Sequence, residues 1–175
     1  MLHQIGRKRR SEDLAGMLED CHARIRQFIA LGIAIGERSD APDAEVVEAC
    51  DRARRYFVEA FPLHVRDEEE SILPRLRGRS ADIDAALDRM HDEHVRHAEP
   101  LRGFLDLLAS VRADPRQTTR RTELARVSAE LKDELERHLE AEERLILPAV
   151  RELLTAEEQR VAIAELRARR DTATR

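Results

Sequence analysis

One eleven-residue pattern, His-x-x-x-Glu-Glu-x-x-Ile-Leu-Pro, occurs twice in this chain of 175 residues. The first copy begins at His64 and the second at His138, so every element recurs after 74 residues. A histidine and a carboxylate four residues apart lie one turn apart on the same face of a helix. Two such helices packed side by side are able to hold two metal ions between them. The repeat therefore constrains both the fold and the chemistry of the chain.

The composition is typical of long helices. Charged residues make up 38% of the chain and aromatic residues only 3%, while Leu, Ala, Glu and Arg dominate. Proline and glycine divide the chain into four long helical segments with short connections, which predicts an all-α, up-down-up-down four-helix bundle with a short additional C-terminal helix. We expect a basic N-terminal arm over residues 1–10, the bundle over 11–150, and the C-terminal helix and tail over 151–175.

Capping residues indicate where the helices begin. Ser11 is the expected N-cap of the first helix, the segment 40–42 precedes the second, and Ser80 is the expected N-cap of the third. A turn at 114–115 leads into the fourth. Thr155 and Glu158 have the spacing of a capping box, which predicts the start of the fifth helix. The apolar face of that helix either covers the bundle or forms a dimer contact, so monomer and homodimer both remain open.

The charge balance and the termini exclude several classes of protein. The net charge of −5 gives no reason to expect a nucleic-acid partner. No secretory signal and no membrane-spanning stretch is recognisable, and the two cysteines, Cys21 and Cys50, form neither a C-x-x-C pair nor a disulfide framework. These features favour a cytoplasmic protein with reduced thiols and no membrane partner.

The second half of the chain repeats the first as a histidine-bearing helix followed by a His-x-x-x-Glu helix. His22 precedes His64 by 42 residues, and His94 precedes His138 by 44. Each histidine lies on the apolar stripe of its helix, where core residues are expected. Two hairpins related by a pseudo-twofold axis would bring all four histidines to one level and form a single shared site.

Two carboxylates also occupy core positions. Glu68 and Glu142 continue the apolar stripes of the second and fourth helices. A buried carboxylate costs several kcal/mol unless it is paired or bound to a cation, and two facing carboxylates repel each other. A dinuclear metal site explains this arrangement. Glu69 and Glu143 lie about 100° around the helix, so they are expected to hydrogen-bond the ligands or to face solvent rather than to ligate.

The third helix carries two further histidines, and either is a candidate for a fifth ligand. His91 and His97 flank His94 by three residues, which places each about 60° from the centre of the stripe. Pro100 lies one turn beyond His97 and is able to kink the helix there, which favours His91. Tyr56, the only tyrosine, is expected to pack in the core, with a phenol donor to the metal pocket as the alternative.

These motifs resemble the hemerythrin-like family, the HHE cation-binding domains. The resemblance covers roughly residues 12–150. It implies a four-helix bundle holding two non-haem iron ions with an oxo or hydroxo bridge. It also implies histidine ligands and bridging carboxylates at these positions: His22, His64, Glu68, His94, His138 and Glu142. The chain departs from oxygen-carrying hemerythrins, which use His-x-x-x-His on the third helix and a five-residue spacing on the fourth.

Imidazole and carboxylate ligands without thiolate suit iron, manganese or zinc, and the resemblance favours iron. The resemblance implies an iron-binding protein that binds oxygen, nitric oxide or peroxide for sensing, storage or detoxification. A di-iron enzyme that decomposes peroxide or reduces nitric oxide is the first alternative, and a helical interaction module with a structural metal site is the second. We favour the binding protein, and no residue is singled out as catalytic. No nicotinamide, flavin or haem motif is present, so reductive turnover would need an external electron donor.

Overall fold

The computed structural model describes residues 11–38 and 40–173, and these residues form five helices and no strand. Helix α1 is Leu14–Glu37 and α3 is Ala81–Ala113. Helix α2 is a continuous run of the segments Asp43–Arg55, Tyr56–Ala60, Phe61–Asp67, Glu68–Ile72 and Leu73–Leu76. Helix α4 comprises Thr118–Ala141, Glu142–Ile146 and Leu147–Leu153, and α5 is Ala156–Ala173. The basic arm 1–10 and the last two residues of the predicted tail lie outside the described residues.

The first four helices form a four-helix bundle. Helices α1 and α3 each pack against both α2 and α4. The connections between consecutive helices are four or five residues long, so neighbouring helices run antiparallel. The all-α bundle with an additional C-terminal helix is confirmed. Among the described residues, no helix is long and apolar enough to cross a lipid bilayer.

The apolar core is divided into two clusters with a polar layer between them. One cluster is built around Ile25, Phe57 and Phe104. The other is built around Leu18 and Met90, together with apolar side chains near the ends of α2 and α4. On α1 and α3 the predicted ligand histidine falls between residues of the first cluster and residues of the second, and on α2 and α4 the predicted ligand glutamate does. The bundle therefore holds these polar side chains away from solvent.

Three stretches of π-helix interrupt α2 and α4, and each ends two residues before a proline. The segments are Tyr56–Ala60, Glu68–Ile72 and Glu142–Ile146, and the prolines are Pro62, Pro74 and Pro148. Proline lacks an N–H and its ring clashes with the carbonyl four residues earlier, so a wider turn before it accommodates the ring. The repeated Ile-Leu-Pro therefore marks π turns that begin at Glu68 and Glu142. Helix α4 does not end at Pro148 but continues to Leu153.

The helix caps agree with the sequence at two of the predicted positions and differ at one. Ser80 accepts a hydrogen bond from the backbone N–H of Ile83, and Thr155 and Glu158 bond each other reciprocally as a capping box. Both predictions are confirmed. The prediction of Ser11 as the first cap is wrong, because the side chain of Asp13 accepts from the backbone N–H of Gly16 instead.

Helix α5 covers one side groove of the bundle. It packs on α1 and on the stretch of α2 between residues 61 and 72. Ala162 and Leu166 are fully buried there, and Ile163 packs against the same apolar cluster. Of the two roles that the sequence left open for this helix, the structure places its apolar face against the bundle.

Candidate metal centre

Six side chains from four helices converge in the polar layer of the bundle. They are His22 of α1, His64 and Glu68 of α2, His94 of α3, and His138 and Glu142 of α4. Each of these side chains is at most 6% exposed to solvent. The period of each helix turns its histidine inward, and the bundle brings the four to one level. The ring centroids of His22 and His64 lie 5.2 Å apart, and those of His94 and His138 lie 4.9 Å apart.

The side chains form two overlapping groups that could each hold a metal ion. The first group is His22, His64, Glu68 and Glu142, and the second is His94, His138 and Glu142. Within each group, one potential ligand atom from every residue lies within 4.8 Å of the others. Glu142 belongs to both groups, so the two candidate positions are adjacent and share a carboxylate.

Each carboxylate directs one oxygen toward each pair of histidines. In Glu142, Oε1 lies 3.1 Å from Nε2 of His138, and Oε2 lies 3.2 Å from Nε2 of His22. In Glu68, Oε1 lies 3.4 Å from Nε2 of His64, and Oε2 lies 3.3 Å from Nε2 of His94. Each of the two carboxylates therefore lies between both pairs of histidines, where its two oxygens could contact ions beside either pair.

Carboxylates outside the cluster orient three of the four histidines. Nδ1 of His22 donates to Glu143 at 2.9 Å, and Nδ1 of His94 donates to Glu69 at 2.7 Å. Because a carboxylate only accepts, each bond places a proton on Nδ1, so that the neutral imidazole presents Nε2 as an acceptor to the cluster. The expectation that Glu69 and Glu143 hydrogen-bond the candidate ligands is confirmed.

The third such bond involves a residue that the sequence did not single out. Nδ1 of His138 donates to Glu93 of α3 at 2.9 Å. The two residues are 45 positions apart on different helices, so no spacing within a helix could have indicated this contact. Both nitrogens of His64 are buried and lack a hydrogen-bond partner among the described residues. The hydrogen bonding of the four histidines is therefore not symmetric.

The donor atoms at the centre are buried without hydrogen-bond partners among the described residues. They include Nε2 of His22, His64 and His94, both oxygens of Glu142, and Oε2 of Glu68. Nε2 of His22 lies 3.2 Å from Oε2 of Glu142, and Nε2 of His94 lies 3.3 Å from Oε2 of Glu68, but neither contact has the geometry of a hydrogen bond. Unsatisfied buried acceptors and two carboxylates are costly in an apolar core. A pair of cations would satisfy all of them, so the residues present fit a dinuclear metal site.

The electrostatics of the cluster separate the pKa values of neighbouring groups. Burial opposes protonation of His22, but the contacts with Glu142 and Glu68 outweigh it and raise the pKa to about 10. The same balance, led by Glu68, raises the pKa of His94 to about 9. Burial lowers the pKa of His64 to about 4. Burial and the nearby Glu68 raise the pKa of Glu142, as expected for two facing carboxylates.

The structure does not bring His91 into the cluster. Its side chain is 56% exposed, and its Nδ1 bonds to Glu69 at 3.0 Å. Of the two flanking histidines, His97 is the buried one, and its ring meets the ring of His138 edge-on at 5.1 Å. Burial lowers the pKa of His97 to about 4. The preference for His91 therefore finds no support in where the two histidines lie.

A heptad pattern explains the placement of His97. Met90, His97, Phe104 and Val111 are spaced by seven and are all buried. The residues Leu87, His94, Leu101 and Leu108 are also spaced by seven and occupy the other core position of the same heptad. A helix with two core positions per heptad buries a face wide enough for His94 and His97 together, whereas His91 falls beside that face. The spacing of seven was the signal that could have identified His97.

Tyr56 and Cys21 lie beside the cluster and not in it. Tyr56 stacks on Phe28 with ring centroids 4.3 Å apart, and its hydroxyl donates to the carbonyl oxygen of Cys21 at 3.4 Å. Burial raises the pKa of the Tyr56 phenol and of the Cys21 thiol. Both placements agree with packing roles for these residues.

Comparison with known proteins identifies a family for the bundle. The family model described as the hemerythrin HHE cation binding domain matches residues 13–150. The match spans all six converging residues and ends before α5. Neither the comparison with curated proteins nor the comparison with solved structures finds a significant match.

Proposed function

We propose that this chain, which belongs to the hemerythrin HHE cation-binding family, binds two non-haem iron ions and uses them to bind a small molecule. The family and the cluster of histidines and glutamates establish a metal-binding domain. The identity and number of the ions, and the ligands to each, are our assignment. The molecule bound would be oxygen, nitric oxide or peroxide, for sensing, storage or detoxification.

The observation that carries the proposal is the position of Glu142 between the two groups of histidines. Its two oxygens face His138 and His22 at 3.1 and 3.2 Å. We assign His22 and His64 to one ion and His94 and His138 to the other, with Glu68 and Glu142 as bridges. His91 is left outside this assignment, because its exposed side chain is bonded to Glu69.

Iron suits this set of donors better than the alternatives. The cluster offers four imidazoles and two carboxylates, and no thiolate takes part. Bound iron would supply a redox-active Lewis acid with open coordination positions. The chain's own contribution is to hold Nε2 of each histidine toward the centre, to fix three of the tautomers, and to exclude bulk water from the cluster.

The experiment that tests the proposal is metal analysis of untagged protein purified in air, by plasma mass spectrometry. Two irons per chain would support the assignment. Zinc, or no metal even after anaerobic reconstitution with ferrous ion, would contradict it and favour a structural role. Stopped-flow mixing of the iron-loaded protein with peroxide then separates two functions. One stoichiometric oxidation supports a binding protein, whereas sustained release of oxygen supports an enzyme.

A further inference from the structure

We infer that small molecules reach the centre from one side only, through the groove between α3 and α4, and bind beside His94 and His138. Helix α5 closes the equivalent groove between α1 and α2. The inference rests on the proposed function for the binding step, whereas the access route is a property of the chain and can be tested without iron.

A narrow pocket lies in the open groove. It is lined from α3 by Ala86, Met90 and Glu93, and from α4 by His138 and Glu142 among others. The pocket therefore ends on two members of the candidate metal cluster. Its volume is about 30 Å³, and a cavity needs roughly 10–15 Å³ to hold one water molecule. The space suits a molecule of two or three heavy atoms and excludes larger organic substrates.

The pocket adjoins the group formed by His94, His138 and Glu142. The other group extends toward α1 and α2, where α5 packs. Of the six converging side chains, that of His94 is the most exposed, at 6%. The α3 and α4 side is therefore the one with space for an external ligand beside the cluster.

Helix α5 fills the corresponding groove between α1 and α2. Asp67, which is fully buried, accepts hydrogen bonds from Arg169 at 2.8 Å and from Arg170 at 2.6 Å. Arg170 also lies 3.8 Å from the sulfur of Cys21 on α1. Ser71, the next inward position of α2, donates to Glu165 of α5 at 2.5 Å. The two basic side chains and Glu165 thus tie α5 to α2 along the stretch that carries Glu68.

The internal repeat shows what differs between the two grooves. The residue that corresponds to Asp67 in the second half is Ala141, which lines the pocket. The residue that corresponds to Ala86 in the first half is Leu14, which is fully buried. Small side chains therefore leave space on one side, whereas the other side has a larger side chain and an anchor for α5. The duplicated helices are similar, but the pocket lies in the groove between α3 and α4, whereas α5 packs in the other groove.

The test fills the pocket with a side chain and measures the association of azide with the iron-loaded protein by stopped flow. Ala141→Leu should lower the association rate constant about tenfold or more, with unchanged iron content. The matched control is Ala164→Leu, the same change at an exposed position of α5, and it should stay within about twofold of the unmodified protein. An unchanged rate in Ala141→Leu, or no azide binding by the unmodified loaded protein, would overturn the inference.

A second variant tests the same groove in case Ala141→Leu does not fold. Arg89 is exposed and lines the pocket. Because azide is an anion, Arg89→Glu should slow its association several-fold at low ionic strength, and added salt should reduce the difference. If neither Arg89→Glu nor Ala141→Leu changes the rate, azide does not enter by this groove.

A third measurement separates the route from the metal. Dissolved oxygen is paramagnetic and relaxes the NMR signals of methyl groups that it reaches. In zinc-treated protein with labelled methionine methyl groups, oxygen should relax Met90, which lines the pocket, and Ala141→Leu should reduce that relaxation. The control is Met17 of α1, whose relaxation should be the same in both proteins. Unchanged relaxation of Met90 in Ala141→Leu would overturn the access route. A protein that binds no iron but passes this test would contradict only the proposed function.

Discussion

Nδ1 of His22 donates a hydrogen bond to Oε1 of Glu143 at 2.9 Å, although 121 residues separate the two in the chain. The bond fixes the imidazole with Nε2 toward the cluster, and Arg26 holds Glu143 in turn through a contact of 2.7 Å. Such outer partners commonly contribute 10–100-fold to metal affinity.

Glu143→Ala should therefore lower the affinity for the ion assigned to His22 and His64 by about 10–100-fold while the bundle stays folded. Competition with a chromogenic chelator measures this directly. Glu140→Ala removes an exposed carboxylate from the same helix and serves as the control. Equal affinities in the two variants would show that Glu143 does not orient the ligand.

The bridging carboxylates should be indispensable for the dinuclear site. Glu68→Ala combined with Glu142→Ala removes four oxygens that face the two pairs of histidines, so we expect the loss of both ions. Metal content after reconstitution measures the outcome. The paired control is Glu140→Ala with Glu152→Ala, which removes the same charge from exposed positions. Retention of two tightly bound ions in the first variant would refute the ligand assignment.

Metal binding should release protons and strengthen as the pH rises. The pKa of His22 is raised to about 10 and that of His94 to about 9 in the metal-free chain, so both imidazoles are protonated at neutral pH. A metal ion must displace these protons, and the competition weakens as the pH approaches those pKa values. Calorimetric titration in two buffers of different ionisation enthalpy should give about two protons released per chain near pH 7.5. Binding that releases no protons would contradict the charge state inferred for these histidines.

The attachment of α5 should contribute to the stability of the whole bundle. Arg169→Ala together with Arg170→Ala leaves the buried Asp67 carboxylate without its two cationic partners. Removing the partner of a buried charge typically costs about 3–5 kcal/mol. Urea unfolding should show a loss of about 3 kcal/mol in the free energy of unfolding.

The control for this prediction is Arg66→Ala, which breaks an exposed ion pair between Arg66 and Glu70, both of α2. Exposed pairs contribute little, so this variant should unfold at nearly the urea concentration of the unmodified protein. If the two variants unfold alike, the contacts of Asp67 do not stabilise the attachment of α5.

The sequence predicted correctly the contacts between residues that lie within one helix. The four-residue spacing of His64 and Glu68 places both side chains on one face whatever the helix packs against. The capping box at Thr155 and Glu158 is equally local. The preference for His91 over His97 considered one apolar stripe and a proline, whereas the third helix buries His97 in the second core position of its heptad.

The prolines show a second limit of the sequence. Helix α2 ends two residues after Pro74, at Leu76, whereas α4 continues five residues past Pro148, to Leu153. A proline excludes a regular α-helical turn before it, and the packing of the neighbouring helices decides whether the chain ends, bends or widens there. No local pattern distinguishes these outcomes.

The sequence by itself determined the helices, their antiparallel order and the six inward-facing side chains, because the period of a helix converts spacing into direction. Only the tertiary structure decided which carboxylate orients each histidine, which flanking histidine is buried, and which groove retains a cavity. Those properties depend on distances between residues on different helices. Such distances are set by how whole side chains fill the space between the helices, and no spacing along one segment encodes them.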